Sequence, residues 1–269
     1  MVQEGRLPRA KKCFGQNCLV QPQIVERIVA AIRPVPGDQL VEIGPGPGAL
    51  TRALLRLLPQ LTVVELDRDM IAGLRALAPP EQLEVMQADA LEVDFAALAG
   101  AGNILRVVGN LPYNVATPLV VHVLEEAPQV ESLLVMVQRE VGERLAAGVG
   151  DTAYGAVSVK VAYWGRAAVV GRVPATVFVP RPRVESVLVR IERRPAPPVA
   201  SSDGAVAYDQ VFDLVRAGFA HRRKMLRRSL EGRAGPGAFD AAGIPPTARA
   251  EELALEEWIR LAVAVGGSA

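Results

Sequence analysis

Cysteine and histidine are scarce in this chain, with two of each among 269 residues. Cys13 and Cys18 lie close together, whereas His122 and His221 stand far from them and from each other. A disulfide framework or a tetrahedral zinc site needs more ligands, so neither is expected, no metal is assigned, and the thiols are read as reduced. No apolar run reaches the roughly 18 residues of a membrane span, and no secretory or lipidation motif appears. The expected location is the cytoplasm, without membrane association. Net charge is also nearly absent, at +1, in a composition that is 50% hydrophobic and 22% charged, which is ordinary for a globular protein. Internal repeats are missing.

What is present is alternation. A chain of 269 residues holds one large domain, or one large and one small. Residues 22–32 have helical spacing, with Pro22 suited to a first turn. Short apolar runs follow at 39–44, 61–67, 83–89, 104–109 and 132–138, of strand length. Helical stretches lie between them, 49–58 closed by Pro59 and 69–78 closed by Pro79 and Pro80. Strands alternating with helices predict right-handed βαβ units and a parallel sheet covered on both faces, an α/β fold. The runs 167–173 and 186–192 have no helix between them and are expected to pair antiparallel at one edge. A proline- and serine-rich stretch then separates a domain 1–194 from a helical domain 205–269, with 195–204 as the linker. The helical patterns beyond it cover 208–220, 222–230 and 250–265.

The first strand runs into Gly44-Pro45-Gly46-Pro47-Gly48, and glycines there permit a tight turn and close approach of a ligand to the backbone. The spacing is not that of the dinucleotide fingerprint. Glu65 ends the second strand, where a carboxylate can accept hydrogen bonds from both ribose hydroxyls. Asp89 ends the third and can hold an adenine amino group. No lysine is placed to cradle a triphosphate. Glycine turn, Glu65 and Asp89 on successive strand ends outline a nucleoside pocket that S-adenosylmethionine fits best.

The fourth strand ends in Asn110-Leu111-Pro112-Tyr113-Asn114, a stretch without His, Asp or Glu. An exocyclic amine on a base is a poor nucleophile because its lone pair is delocalised into the ring. A carboxamide oxygen and a backbone carbonyl, each accepting one of its N–H bonds, aim that lone pair, while a tyrosine face stacks on an extruded base. The loop therefore reads as an amine-methylation site. Further along, Phe219, Leu226 and Leu230 are spaced for one helical face, with Arg222, Arg223, Lys224, Arg227 and Arg228 on the remainder. No acidic residue occurs in that segment before Glu231, which favours phosphate contact over a merely solvated face.

These residues resemble a known family. Lys12–Leu19, Glu42–Gly48, Glu65-Leu66-Asp67, Asp89-Ala90, Asn110–Asn114, Phe178–Ser186 and Arg222–Leu230, in that order, are similar to the 16S ribosomal RNA adenine-N6 dimethyltransferases, the KsgA or kasugamycin-sensitivity family. The resemblance spans nearly the whole chain. It implies a Rossmann-like class I methyltransferase domain, with a mostly parallel seven-stranded sheet, and a small C-terminal helical domain. It implies that Asn17, Leu19, Gly44, Glu65, Asp89 and Asn110 line the S-adenosylmethionine site. Catalysis would fall to Asn110, Pro112, Tyr113 and Phe178, with Phe178 stacking on the target adenine opposite Tyr113. The family dimethylates two neighbouring adenosines in the 3′-terminal hairpin of small-subunit RNA, so the expected partner is 16S rRNA in an immature small subunit, with no obligate protein partner. Cys18 stands where the family commonly has phenylalanine, which removes ring packing near the cofactor. Three other readings stay open on sequence: the related large-subunit adenine methyltransferases of macrolide resistance, a DNA amino-methyltransferase, and an assembly factor that binds RNA without catalysis.

Overall fold

The apolar runs form strands because the sheet is buried on both faces, and the computed structural model describes residues 18–34, 37–99, 104–196, 198 and 208–267. β1 (Cys18–Leu19) precedes α1 (Pro22–Ile32), β2 (Gln39–Ile43), α2 (Ala49–Leu54), β3 (Leu61–Glu65), α3 (Arg68–Arg75) and β4 (Leu83–Gln87). Next come α4 (Phe95–Ala99), β5 (Leu105–Asn110), α5 (Ala116–Glu126), β6 (Val130–Gln138), α6 (Arg139–Ala146) and α7 (Ala156–Trp164). β7 (Gly165–Val173), β8 (Phe178–Val179) and β9 (Ser186–Arg193) are followed by α8 (Tyr208–Ala220), α9 (Leu226–Ser229), α10 (Pro236–Ala242) and α11 (Leu255–Gly266). No helix is long and apolar enough to cross a membrane among the described residues.

Seven strands form one sheet in the order β4-β3-β2-β5-β6-β9-β7. The pairs from β4 through β6 are parallel and β9 runs antiparallel to β6. The two segments expected at an edge, β7 and β9, are neighbours there. One face packs under α1 and α2, where Ile24, Ile28, Leu50 and Leu54 cluster with Leu40, Val108, Leu134 and Met136. On α5, Leu119, Val120, Val123 and Leu124 are buried. Two-sided burial explains why the strands read as continuous apolar runs rather than alternating ones. α1 begins with Pro22 in its first turn and ends where Arg33 turns left-handed (φ 53°) and its N–H reaches the Val29 carbonyl at 3.0 Å.

The chain divides into two compact units, Met1–Gly142 with Ala168–Arg193, and Glu143–Ala167 with Arg194–Ala269. A single cut near residue 194 does not describe this division. α7 folds with the C-terminal helices because Val159 and Tyr163 share an apolar core with Val211, Phe212, Val215, Leu226 and Trp258. Most of the expected linker 195–204 lies outside the described residues. The helix expected over 222–230 is also corrected. His221 to Lys224 form a turn, Met225 bridges Arg249 antiparallel, and the Leu226 N–H donates to the Ala248 carbonyl at 2.7 Å. Only Leu226–Ser229 is helical, so Phe219 and Leu226 reach the same core from different helices.

Arg193 closes the end of α5. Its Nε donates to the Val130 carbonyl at 2.7 Å, and its Nη2 to those of Leu124 and Ala127 at 3.0 Å and of Val123 at 3.3 Å. The Leu124 and Ala127 carbonyls lie at the helix end, the Val123 carbonyl also accepts the Ala127 N–H at 3.2 Å, and Val130 opens β6, so one guanidinium ties the end of α5 to the start of the next strand. Replacing Arg193 with Met should cost about 2–3 kcal/mol, on the scale of charge-assisted hydrogen bonds. Lys should restore only part of this, because one ammonium cannot span the four carbonyls. Urea unfolding followed by far-UV circular dichroism measures it, and a Lys variant as stable as the parent would remove Arg193 from this role.

Candidate active site

The sheet changes direction of winding between β2 and β5, which lie side by side with Val41 opposite Val107 and Ile43 opposite Gly109. From β2 the chain order runs outward through β3 to β4, and from β5 outward to β6. Loops leaving the carboxyl ends of such a pair diverge and leave a crevice. A Cβ at Gly109 would stand 2.5 Å from the Ile43 carbonyl oxygen, so the close pairing requires glycine immediately before Asn110.

The crevice opens into a cavity of about 400 Å³. It brings together Leu19, Gly44, Glu65, Asp89 and Asn110, with Pro112 and Tyr113, all named from sequence. Asn17 lies outside the described residues. Gly44, Gly46 and Gly48 have φ of 66°, 54° and 82°, a left-handed series that side chains would strain. The Gly46 N–H donates to Glu65 Oε2 at 3.0 Å, and the Asp67 N–H to Glu65 Oε1 at 2.8 Å. Glu65 is thus tied to the turn it faces. Burial pushes its carboxyl above the usual range, while the amide bonds pull the other way. Asp89 Oδ1 accepts the Leu91 N–H at 3.0 Å, which fixes that carboxylate at the rim. Asp67 has a structural part, capping α3 by accepting the Asp69 N–H at 3.1 Å.

The acceptor loop is anchored by the Leu111 N–H, which donates to the Met136 carbonyl at 3.0 Å. The Pro112 carbonyl accepts the N–H groups of Val115 and Ala116, both at 3.1 Å, and so opens α5. Among the described residues no backbone N–H reaches the Leu111 carbonyl. The Tyr113 hydroxyl meets Ser186 Oγ at 3.1 Å, which holds the half-buried ring beside the cavity. Burial raises the phenol, and the bond to Ser186 partly offsets that. Phe178 behaves differently. It pairs with Leu19 between β8 and β1, is 2% exposed, and packs in the apolar cluster under α1. Its ring does not line the cavity in the absence of a target base.

Cys18 lines the cavity, and its thiol is raised first by burial and then by Glu65, which keeps it protonated and unreactive. Glu42 is a cavity residue the sequence reading passed over. It is 2% exposed and accepts the Thr51 hydroxyl at 2.7 Å. Burial, opposed by that bond and reinforced by Glu65, pushes its carboxyl up to about 8. The signal was an acid inside the apolar strand Leu40-Val41-Glu42-Ile43. Glu42, Glu65 and Asp89 line the cavity, with no Lys, Arg or His among the described residues lining it. No group of three or more His, Cys, Asp or Glu is placed to hold a metal among the described residues.

In the second unit, Arg222, one of the residues expected to contact phosphate, is engaged within its own unit. Its Nε lies 2.6 Å from Glu251 Oε2, and its Nη2 donates to the Thr152 carbonyl at 2.8 Å. Arg223, Lys224, Arg227 and Arg228 are exposed and have no ion-pair partner among the described residues.

The ribosomal RNA adenine dimethylase family matches residues 8–265 of the chain. Ribosomal RNA small subunit methyltransferase A of Acidithiobacillus ferrooxidans is 58% identical, over 98% of this chain and 97% of that protein. Two solved structures share the fold. A dimethyladenosine transferase from Plasmodium falciparum has a TM-score of 0.74 at 23% identity, over 90% of this chain and 95% of that one. The 23S rRNA methyltransferase ErmE has a TM-score of 0.72 at 25% identity, over 93% and 99%. A match over nearly the full length in sequence, together with the glycine turn and acceptor loop at one crevice, leads to one conclusion: the chain belongs to the ribosomal RNA adenine dimethylase family.

Proposed function

We propose that the protein transfers methyl groups from S-adenosylmethionine to the N6 amines of two adjacent adenosines in the 3′-terminal hairpin of 16S rRNA. It does so in the cytoplasm, on immature small ribosomal subunits, without an obligate protein partner. The observation that carries this reading is the union, in one acidic cavity, of a left-handed glycine turn and the Asn110–Tyr113 loop. A cavity lined by carboxylates and no basic side chain fits a ligand with a positive end and a ribose diol, and suits a polyphosphate poorly.

Bound there, S-adenosylmethionine supplies an electrophilic methyl group carried on a sulfonium. Glu65 would hold the ribose hydroxyls, Asp89 the adenine amine, and Gly44 and Leu19 the backbone and apolar sides. Asn110 accepts one N–H of the target amine. The Leu111 carbonyl is the better backbone acceptor for the other, because the Pro112 carbonyl is already committed to Val115 and Ala116. Pro112 contributes by shaping the loop. Tyr113 offers its face to the base while Ser186 fixes its hydroxyl. As the amine takes up the methyl group it becomes positive and acidic, so its proton leaves to water and no general base is required. Asn110 orients the amine and stabilises that developing charge.

Asn110→Ala should slow single-turnover methylation of immature small subunits by about 10- to 100-fold at saturating cofactor, the loss of one oriented hydrogen bond. An unchanged rate removes Asn110 from catalysis. Methylation of 23S rRNA or duplex DNA in preference to small subunits would overturn the substrate assignment.

The second unit's free cations supply phosphate contacts, which position RNA without reading its sequence. Reversing Arg223, Arg227 and Arg228 to Glu should weaken subunit binding, and the fall of log K with log salt should become shallower because fewer counterions are released. Arg222→Glu should instead lower the stability of its own unit, since it holds Glu251 and Thr152. Equal salt slopes for parent and triple variant would mean that these side chains form a solvated face.

A further inference from the structure

The loop after β5 contains one carboxamide that the chemistry above leaves unused. Asn114 lines the cavity and is exposed at its mouth. Its neighbours in the loop are committed. The Leu111 N–H goes to Met136, the Pro112 carbonyl to Val115 and Ala116, and the Tyr113 hydroxyl to Ser186. The same bonds fix the Asn114 backbone, because the Val115 N–H closes a turn onto the Pro112 carbonyl with Tyr113 and Asn114 between them. The Asn114 carboxamide itself has no hydrogen-bond partner among the described residues.

Donors are what this cavity has least of. Among the described residues lining it, Asn110 and Asn114 are the two whose side chains carry an N–H group. The remaining polar side chains there are acids, the Cys18 thiol and the Tyr113 hydroxyl. Asn110 turns its oxygen to the target amine, which leaves Asn114 as the side-chain donor. An adenine presents N–H groups at N6 and, on either side of them, the ring nitrogens N1 and N7, which only accept. Asp89, assigned to the cofactor's adenine, follows β4, three strands from β5. That is roughly 14 Å at ordinary strand spacing, so the base beside Asn114 is the target.

We propose that Asn114 holds the extruded adenine by donating its amide N–H to a ring nitrogen flanking N6, and that this grip carries the base through both methylations. The inference rests on the target reading above. After the first transfer the amine has one N–H left, so either Asn110 or the Leu111 carbonyl loses its partner. The new methyl group crowds the ring nitrogen on its own side and leaves the other open. A ring lone pair therefore outlasts the amine hydrogens as a handle, and it matters most in the second transfer.

Small subunits rebuilt with 1-deazaadenosine or 7-deazaadenosine at the target positions test this, since each analogue has C–H in place of one ring nitrogen. Parent, Asn114→Ala and Asn114→Asp are compared in single-turnover methylation at saturating S-adenosylmethionine. On unmodified subunits both variants should slow the first methylation by about 3- to 10-fold, the scale of one hydrogen bond, and the second by more. Monomethyladenosine should accumulate as a result. Asp keeps the size but cannot donate, so it should be no faster than Ala. One analogue should slow the parent about 3- to 10-fold more than it slows Asn114→Ala, because the variant has no donor left to lose. A monomethyl-to-dimethyl ratio unchanged in Asn114→Ala overturns the proposal. So does an Asp variant as fast as the parent, or a parent and Ala variant slowed alike by both analogues; each leaves the methyl-transfer reading intact. A parent that methylates no small subunits would sink both.

Discussion

The side-by-side parallel pairing of β2 with β5, where the winding of the sheet reverses, is the constraint on which the rest of the site depends. It sets the glycine turn and the acceptor loop next to each other, with a Cβ built on Gly44 only 3.5 Å from the Asn110 carbonyl oxygen. Gly109 makes this possible by letting the strands close without a side chain against the Ile43 carbonyl. Methyl donor and methyl acceptor must meet in line, and a reaction of that kind gains most from fixed geometry. Rigid strand ends supply that geometry better than mobile loops.

Charge is the second theme. The cavity gathers carboxylates where most folds would neutralise them, and burial lifts Glu42 and Glu65 above their ordinary range. Glu65 offsets part of this cost with two backbone amides, whereas Glu42 has a single hydroxyl. The arrangement makes sense for a ligand that brings its own positive charge. The second unit has the opposite character, with exposed arginines set on a turn and a short helix above an apolar core that contains Trp258 and Leu226.

Much of this was legible in the sequence. The strand runs, the Gly-Pro alternation, the acid that ends β3 and the acid after β4 have local causes, so their patterns survive in one dimension. α1 could be read to the residue because Pro22 marks its start and apolar spacing carries it to Ile32. α5, α6 and α7 had no strong cap signal, and α7 has apolar residues all round, which hides helical periodicity. The 222–230 segment deceived for a different reason. Its spacing is helical, but the Met225–Arg249 bridge and the Leu226–Ala248 hydrogen bond are long-range contacts that override it. The burial of Phe178 by its pairing with Leu19 is likewise a long-range contact that motif position does not reveal.

The central claim is that one crevice holds the cofactor's nucleoside against Glu65 and Asp89 and the target amine against Asn110 and Tyr113. A crystal structure with a conjugate joining the cofactor's amino-acid and nucleoside parts to the N6 of a second adenosine tests it most directly. The account predicts the cofactor ribose on Glu65, the linked N6 within hydrogen-bond distance of the Asn110 carboxamide oxygen, and the second adenine against the Tyr113 ring. A conjugate bound with its second adenine away from the Asn110–Tyr113 loop would contradict it.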